Sequence, residues 1–185
     1  MSSILKVDQI QLSNGNTPTV GDLGLNDTGT VLQTKSTTKT DGWTSTSSTY
    51  TDVTGMSVSI TPTSTSSKIL VMVNLNYGGA NNLYANAKVL RNGSVISVST
   101  AGTLSSQNNA TFAVGGDNNN HQHKLNSAVY MFLDSPSSTS ALTYKLQLMT
   151  HNNTTFVTVN RPYDFTNASY VSGGTSAITV MEIAG

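Results

Sequence analysis

The chain has 185 residues, of which 72 are Ser, Thr or Asn and only 10% are charged. That length holds one domain and an appendage, and so sparse a charge argues against helices whose exposed faces are built from Glu, Lys, Arg and Gln. Nine basic and nine acidic residues with no basic cluster speak against nucleic acid as a partner, and no cysteine is present for thiolate chemistry or disulfides.

Residues 1–30 read as an arm. Ile4, Leu5, Val7 and Ile10 lie in a weakly apolar, strand-like opening, followed by SNGN and the turn-rich TPTVGDLGLNDTG. Such a segment cannot build a core of its own, so it either stays disordered or is ordered by packing on a neighbouring subunit or partner. These four apolar residues are the expected assembly contacts. The opening lacks the continuous apolar run of a secretory signal, which predicts a product retained in the cytoplasm until it assembles. No stretch approaches the roughly 18–20 apolar residues of a membrane span, so no membrane insertion is expected. The several Asn-x-Ser/Thr triplets are then coincidences of composition rather than glycan acceptors.

Residues 31–48 read as an extended polar connector, giving expected domains of 1–40 (arm and connector) and 41–185. Trp43, the single tryptophan, stands at their junction, where it either seals the edge of the domain or touches a neighbouring subunit. Met56, Val58 and Ile60 then alternate with serines in a strand that Pro62 ends. In KILVMVNLNY, Ile69, Val71, Val73, Leu75 and Tyr77 share one face while Leu70 and Met72 lie on the other, which predicts a central strand. Leu83, Ala85, Ala87 and Val89 alternate next and lead into Asn92-Gly93, the strongest short-range hairpin signal of the chain. SAVYMFLDSP is a strand closed by Asp134-Ser135-Pro136. Leu142, Tyr144, Leu146 and Leu148 form the cleanest one-face-buried strand, and Phe156–Val159 and Ile178–Ile183 mark two more. Roughly eight to ten short strands without helical periodicity predict a two-sheet antiparallel β-sandwich.

Chemistry is sparse along this scaffold. There is no Gly-x-Ser-x-Gly elbow and no Gly-rich phosphate loop, and the acidic residues are scattered, with Asp22, Asp27, Asp41 and Asp134 in turn-forming sequences. No enzyme activity and no cofactor are expected. One local cluster, Asp117 through His123, places His121 and His123 two residues apart. In a strand they would share a face and could hold a metal, six imidazoles meeting on a threefold axis, whereas in a loop they are simply solvated or touch another subunit. Two turn segments, Tyr77 to Asn82 and Arg161-Pro162-Tyr163-Asp164, combine amide, hydroxyl and aromatic groups suited to sugar hydroxyls and ring faces, although turns of a sandwich have the same composition.

The opening ILKVDQIQLSNGN resembles the LKVDTI-type start of structural proteins from marine and cyanobacterial tailed phages. GWTSTSSTYTDVTGMSVSITPTSTSSKILVMVNLNYG, LDSPSSTSALTYKLQL, VNRPYD and GGTSAITVMEIAG resemble the jelly-roll-like domain of their fibre and virion proteins. The resemblance implies an all-β, jelly-roll or TNF-like sandwich with an extended N-terminal arm, assembled as a homotrimer in the virion. It further implies capsid or tail proteins as partners, a role as short fibre, knob or capsid decoration, and a host-surface glycan as the alternative ligand. The chain lacks the repetitive shaft of a long fibre.

Overall fold

The computed structural model describes residues 10–18, 28–80, 82–101, 108–115 and 122–185. Among the described residues there are eleven strands and no helix, hence none long and apolar enough to cross a membrane. In chain order they are β1 (Val31–Lys39), β2 (Trp43–Ser45), β3 (Thr51–Ile60), β4 (Lys68–Gly79), β5 (Tyr84–Arg91), β6 (Ser94–Ile96), β7 (Phe112–Gly115), β8 (Asn126–Asp134), β9 (Leu142–Thr150), β10 (Val157–Val159) and β11 (Ser176–Ile183).

Two antiparallel sheets face one another. The first runs β1-β11-β4-β8. Where β11 stops pairing with β4 at Asn74, β10 takes over at Tyr77–Gly79, and β2 extends the sheet beyond β10. The second runs β3-β9-β5, with β6 and β7 sharing the far edge of β5. The long strands alternate between the sheets in the order of a jelly roll, so the expected all-β sandwich is what the chain forms.

The alternation read from sequence maps onto the core. Ile69, Val71, Val73 and Leu75 of β4 and Ile178 and Val180 of β11 face Met56, Val58 and Ile60 of β3 and Tyr144, Leu146 and Leu148 of β9, all buried. Burying each large aliphatic side chain stabilises by roughly 1.5–3 kcal/mol. At one edge the rings of Phe112 (β7) and Tyr130 (β8) stack at 5.5 Å between centroids and close the gap between the sheets. The Asn92-Gly93 hairpin forms as expected, with φ of +48° and +84°. These are the left-handed angles that a two-residue turn of this type demands.

Residues 31–48 are extended, but they are not a free connector. β1 pairs along almost its whole length with β11. Its sequence hides this because the edge position is filled by polar chains. Lys39 is 3% exposed, its stem lying against Gly55 and its ammonium 2.8 Å from Asp41. Gly55 sits at φ +85° in a bulge of β3, where the register with β9 shifts.

A second buried polar group fastens β1 and the turn after β3 to β11. Glu182 is fully buried and accepts from Gln33 Nε2 at 2.6 Å and from the backbone N and Oγ1 of Thr63 at 2.7 Å each. Burial alone would raise its pKa; the hydrogen bonds, led by that from Gln33, outweigh it and hold the carboxyl below its ordinary value.

Candidate functional site

Two surface features stand apart from the polar remainder of the sandwich. The first is a cleft beside β2 and β10. Val159 of β10 pairs with Trp43 of β2 and with Tyr77 of β4, which brings residues from three distant parts of the chain together. Asn160 then turns the chain out of the sheet at φ +64°. Its buried amide donates to the carbonyls of Lys39 (2.8 Å) and Asp41 (3.0 Å) and accepts from Ser176 Oγ (2.6 Å). Asn160 is therefore a spent, structural hub. Its satisfied polar atoms fix where the next residue, Arg161, emerges.

Arg161 lies between two adjoining hollows. One, about 470 Å³, is lined by Trp43, Phe165, Thr40, Thr44, Asn160 and a glycine rim. The other, about 350 Å³, is lined by Phe156, Tyr163, Asp164, Thr44 and Thr158. Close approach explains two glycines here. A Cβ on Gly42 would stand 3.1 Å from Arg161 Cδ, and one on Gly78 would stand 2.8 Å from the Arg161 carbonyl oxygen. The guanidinium of Arg161 has no carboxylate partner and its buried Nε has no acceptor among the described residues. Phe156 and Tyr163 pack at 5.6 Å between ring centroids.

Asp164 is anchored by its backbone, its N–H donating to Gln122 O at 2.8 Å, while its carbonyl meets His123 Nδ1 at 3.2 Å. His123 also packs edge-on to Tyr170. His123 is thus a bracket for the 161–170 loop. His121 falls outside the described residues, and with it the proposed metal pair; among the described residues no three metal-ligating side chains cluster.

The other expected site residues fall as follows. Trp43 is half-buried against the core and lines the cleft. Ile4, Leu5 and Val7 lie outside the described residues, while Ile10 is exposed. Of the two turn segments read as sugar-binding, Arg161–Asp164 stands in the cleft. Tyr77 does not face solvent: it is buried, with its hydroxyl donating to Gly115 O at 3.1 Å, because β4 keeps its odd-numbered residues on the core side.

The second feature was not legible beforehand. The outer face of the first sheet carries Val129, Met131 and Leu133 of β8, exposed at 68%, 59% and 56%. In register beside them stand Leu70 and Met72 of β4 and Met181 of β11, with Ile183 and Val31 at the end of the row. Among the described residues no carboxylate lies on this face, and Lys68 at its margin is its one charge. β8 pairs with β4 over nine consecutive positions without a bulge, and among the described residues no strand pairs with its other edge. It carries no Lys and no Pro, the residues that usually blunt such an edge.

No protein-family model matches the chain, and no curated protein matches it significantly.

Proposed function

We propose that the chain is a structural virion protein of a tailed bacteriophage: a trimeric short fibre, knob or capsid decoration protein, docked to the particle through its N-terminal arm. The observation that carries this reading is the apolar outer face of the first sheet. The three exposed β8 side chains alone offer on the order of 300 Å² of apolar surface, already the scale of the largest patch on a typical monomer. Four strands about 27 Å long and about 4.8 Å apart present on the order of 500 Å² in projection. That approaches the roughly 600 Å² each partner gives to a small specific interface.

The occupant that fits is a sister copy. A face whose one charge is Lys68 at its margin has little with which to attract a charged partner, and a chain of zero net charge opposes self-association least. The threefold count and the phage setting come from the resemblance of the LKVDQI opening and the sandwich segments. Two measurements test the reading. Light scattering of the full chain is expected to give three chain masses, and a single-chain mass across the micromolar range would refute the assembly. Quantitative mass spectrometry of purified virions is expected to find many copies for a capsid decoration and few for a tail appendage, and absence from the virion would refute both roles.

A second reading, recognition of a host-surface glycan, is favoured by the cleft, where aromatic rings flank an unpaired guanidinium. It predicts that the full chain binds host cells or lipopolysaccharide. If it binds neither, the structural reading stands alone.

A further inference from the structure

We infer that the two hollows around Arg161 form a pair of sugar subsites with opposite charge preference, taking an acidic unit on the Trp43 side and a neutral unit on the Tyr163 side of one saccharide chain. The inference rests on the glycan reading and specifies its ligand. Among the described residues, the larger hollow is lined by Trp43, Phe165, Thr40 and Thr44 and by no carboxylate. Its single charge among the described residues is the Arg161 guanidinium, which has no counter-ion among them: the nearby Asp41 is already engaged by Lys39 at 2.8 Å.

A partly desolvated cation without an anion is an unfavourable arrangement that a ligand carboxylate relieves, and a guanidinium presents the donor fork that matches one. The hydroxyls of Thr40 and Thr44 have no protein partner among the described residues, so they remain free for sugar hydroxyls. Trp43 and Phe165 supply apolar surface for a ring face.

The smaller hollow has the reverse character. It shares Arg161 and Thr44 but adds the Asp164 carboxylate between Tyr163 and Phe156. A carboxylate accepts hydrogen bonds from sugar hydroxyls and repels an acidic sugar, so a neutral unit fits there. The two hollows meet at Arg161, so one chain of alternating acidic and neutral units can occupy both. Such a chain satisfies the guanidinium once and leaves Asp164 facing hydroxyls.

Trp43 is the only tryptophan of the chain, so its fluorescence reports on the acidic subsite directly. The full chain is titrated with three hexasaccharides: hyaluronan (alternating acidic and neutral units), oligomannuronate (acidic throughout) and chitohexaose (neutral throughout). Hyaluronan is expected to shift Trp43 emission and to bind about tenfold or more tighter than chitohexaose, the effect of roughly one charge-assisted contact. Arg161→Gln is expected to erase that preference with an unchanged melting temperature, and Arg161→Lys to retain part of it. Asp164→Asn is expected to raise oligomannuronate binding towards that of hyaluronan.

Equal binding of chitohexaose and hyaluronan, unaffected by Arg161→Gln, would overturn the charge assignment and leave glycan recognition standing. Silence with all three sugars, in a chain that still binds host cells, would likewise overturn the charge assignment alone. Silence with all three and no cell binding would remove both. The oligomer mass is unaffected in every case and keeps the assembly reading separate.

Discussion

The two sheets of this sandwich bury their inner faces in the same way and present opposite outer faces. On the second sheet, Ser59 and Thr143 meet across β3 and β9 with hydroxyls 2.8 Å apart, Asp52 accepts from Lys145 and Gln147 at 2.7 Å each, and Lys88 lies 4.1 Å over the Tyr50 ring. Polar cross-strand pairs of this kind keep a sheet face in water. On the first sheet, among the described residues, such pairs stand only at the margins, where the Ser36 and Thr179 hydroxyls lie 2.8 Å apart and Ser127 donates to Asn76 at 2.7 Å, while the middle carries Leu70, Met72, Met131, Leu133 and Met181. A chain with so few charges places several of them on one face and leaves the other almost bare. One face is finished by solvent, and the other is the face proposed to meet a copy of the chain.

The sharpest way to break the contrast is to put charge where it is missing. Met131→Glu combined with Leu133→Lys is expected to drop the light-scattering mass from three chains to one, since each exposed side chain would become a desolvated charge in the interface. Ser57→Glu, on the outer face of the second sheet, is expected to leave the mass unchanged. If the two variants behave alike, the asymmetry of the faces has no bearing on assembly.

Smaller effects are expected from the polar groups that hold the first sheet's strands in register behind that face. Glu182→Ala removes one carboxylate and strands donors on Gln33 and Thr63, for an expected loss of about 3 kcal/mol in urea unfolding. The pH dependence follows from the sign of the shift. The folded carboxyl titrates below the 4.5 of a free glutamate. Its contribution is therefore complete above about pH 4.5 and disappears as pH falls through the lower folded value. The wild-type chain should lose stability across that acid window, and the variant should lose less.

Asp134→Ala acts on the far side of β4, where Asp134 stands opposite the same Ile69 as Glu182 and ties the two sheets together: Arg91 Nη1 of β5 reaches both carboxylate oxygens (2.7 and 2.6 Å) and Tyr144 of β9 donates at 2.7 Å. Burial, followed by the Asp134 carboxylate, pushes the Tyr144 phenol far above its usual range. Its proton is therefore a fixed donor, and its loss of partner is expected to cost about 2 kcal/mol.

These residues also mark where sequence reading ends. Alternation revealed β3, β4 and β9, and Asn-Gly revealed the β5–β6 hairpin, because burial on one face and a left-handed turn leave local traces. β1 left none: its inward positions are Gln33, Lys35, Thr37 and Lys39, all polar, and only pairing with β11 shows that all but Lys35 are covered. In AVYMFL of β8, Tyr130 and Phe132 point inward while Val129, Met131 and Leu133 point outward. A strand apolar on both faces reads as buried, and its exposure appears only when nothing packs over it. The cleft was half legible. Arg161–Asp164 carried suitable chemistry, but Trp43 joins it through the β10–β2 register, a contact between residues far apart in sequence.

The smallest expected effect tests the solvated face. Lys145→Ala removes the ammonium 2.7 Å from Asp52, whose side chain is 53% exposed. The Lys145 hydrogen bond is the leading reason that the Asp52 carboxyl titrates below its ordinary value. A depressed carboxyl stabilises above its unfolded pKa, here near 3.8, and ceases to do so as pH falls through the folded one. Water screens a pair this exposed, so the loss is expected to be about 0.5 kcal/mol at low salt and to fade at high ionic strength. Gln147 still donates to Asp52, which limits the loss further. A loss of several kcal/mol, or one indifferent to salt, would mean that this face too is covered in the assembled protein, and the contrast between the two sheets would fail there.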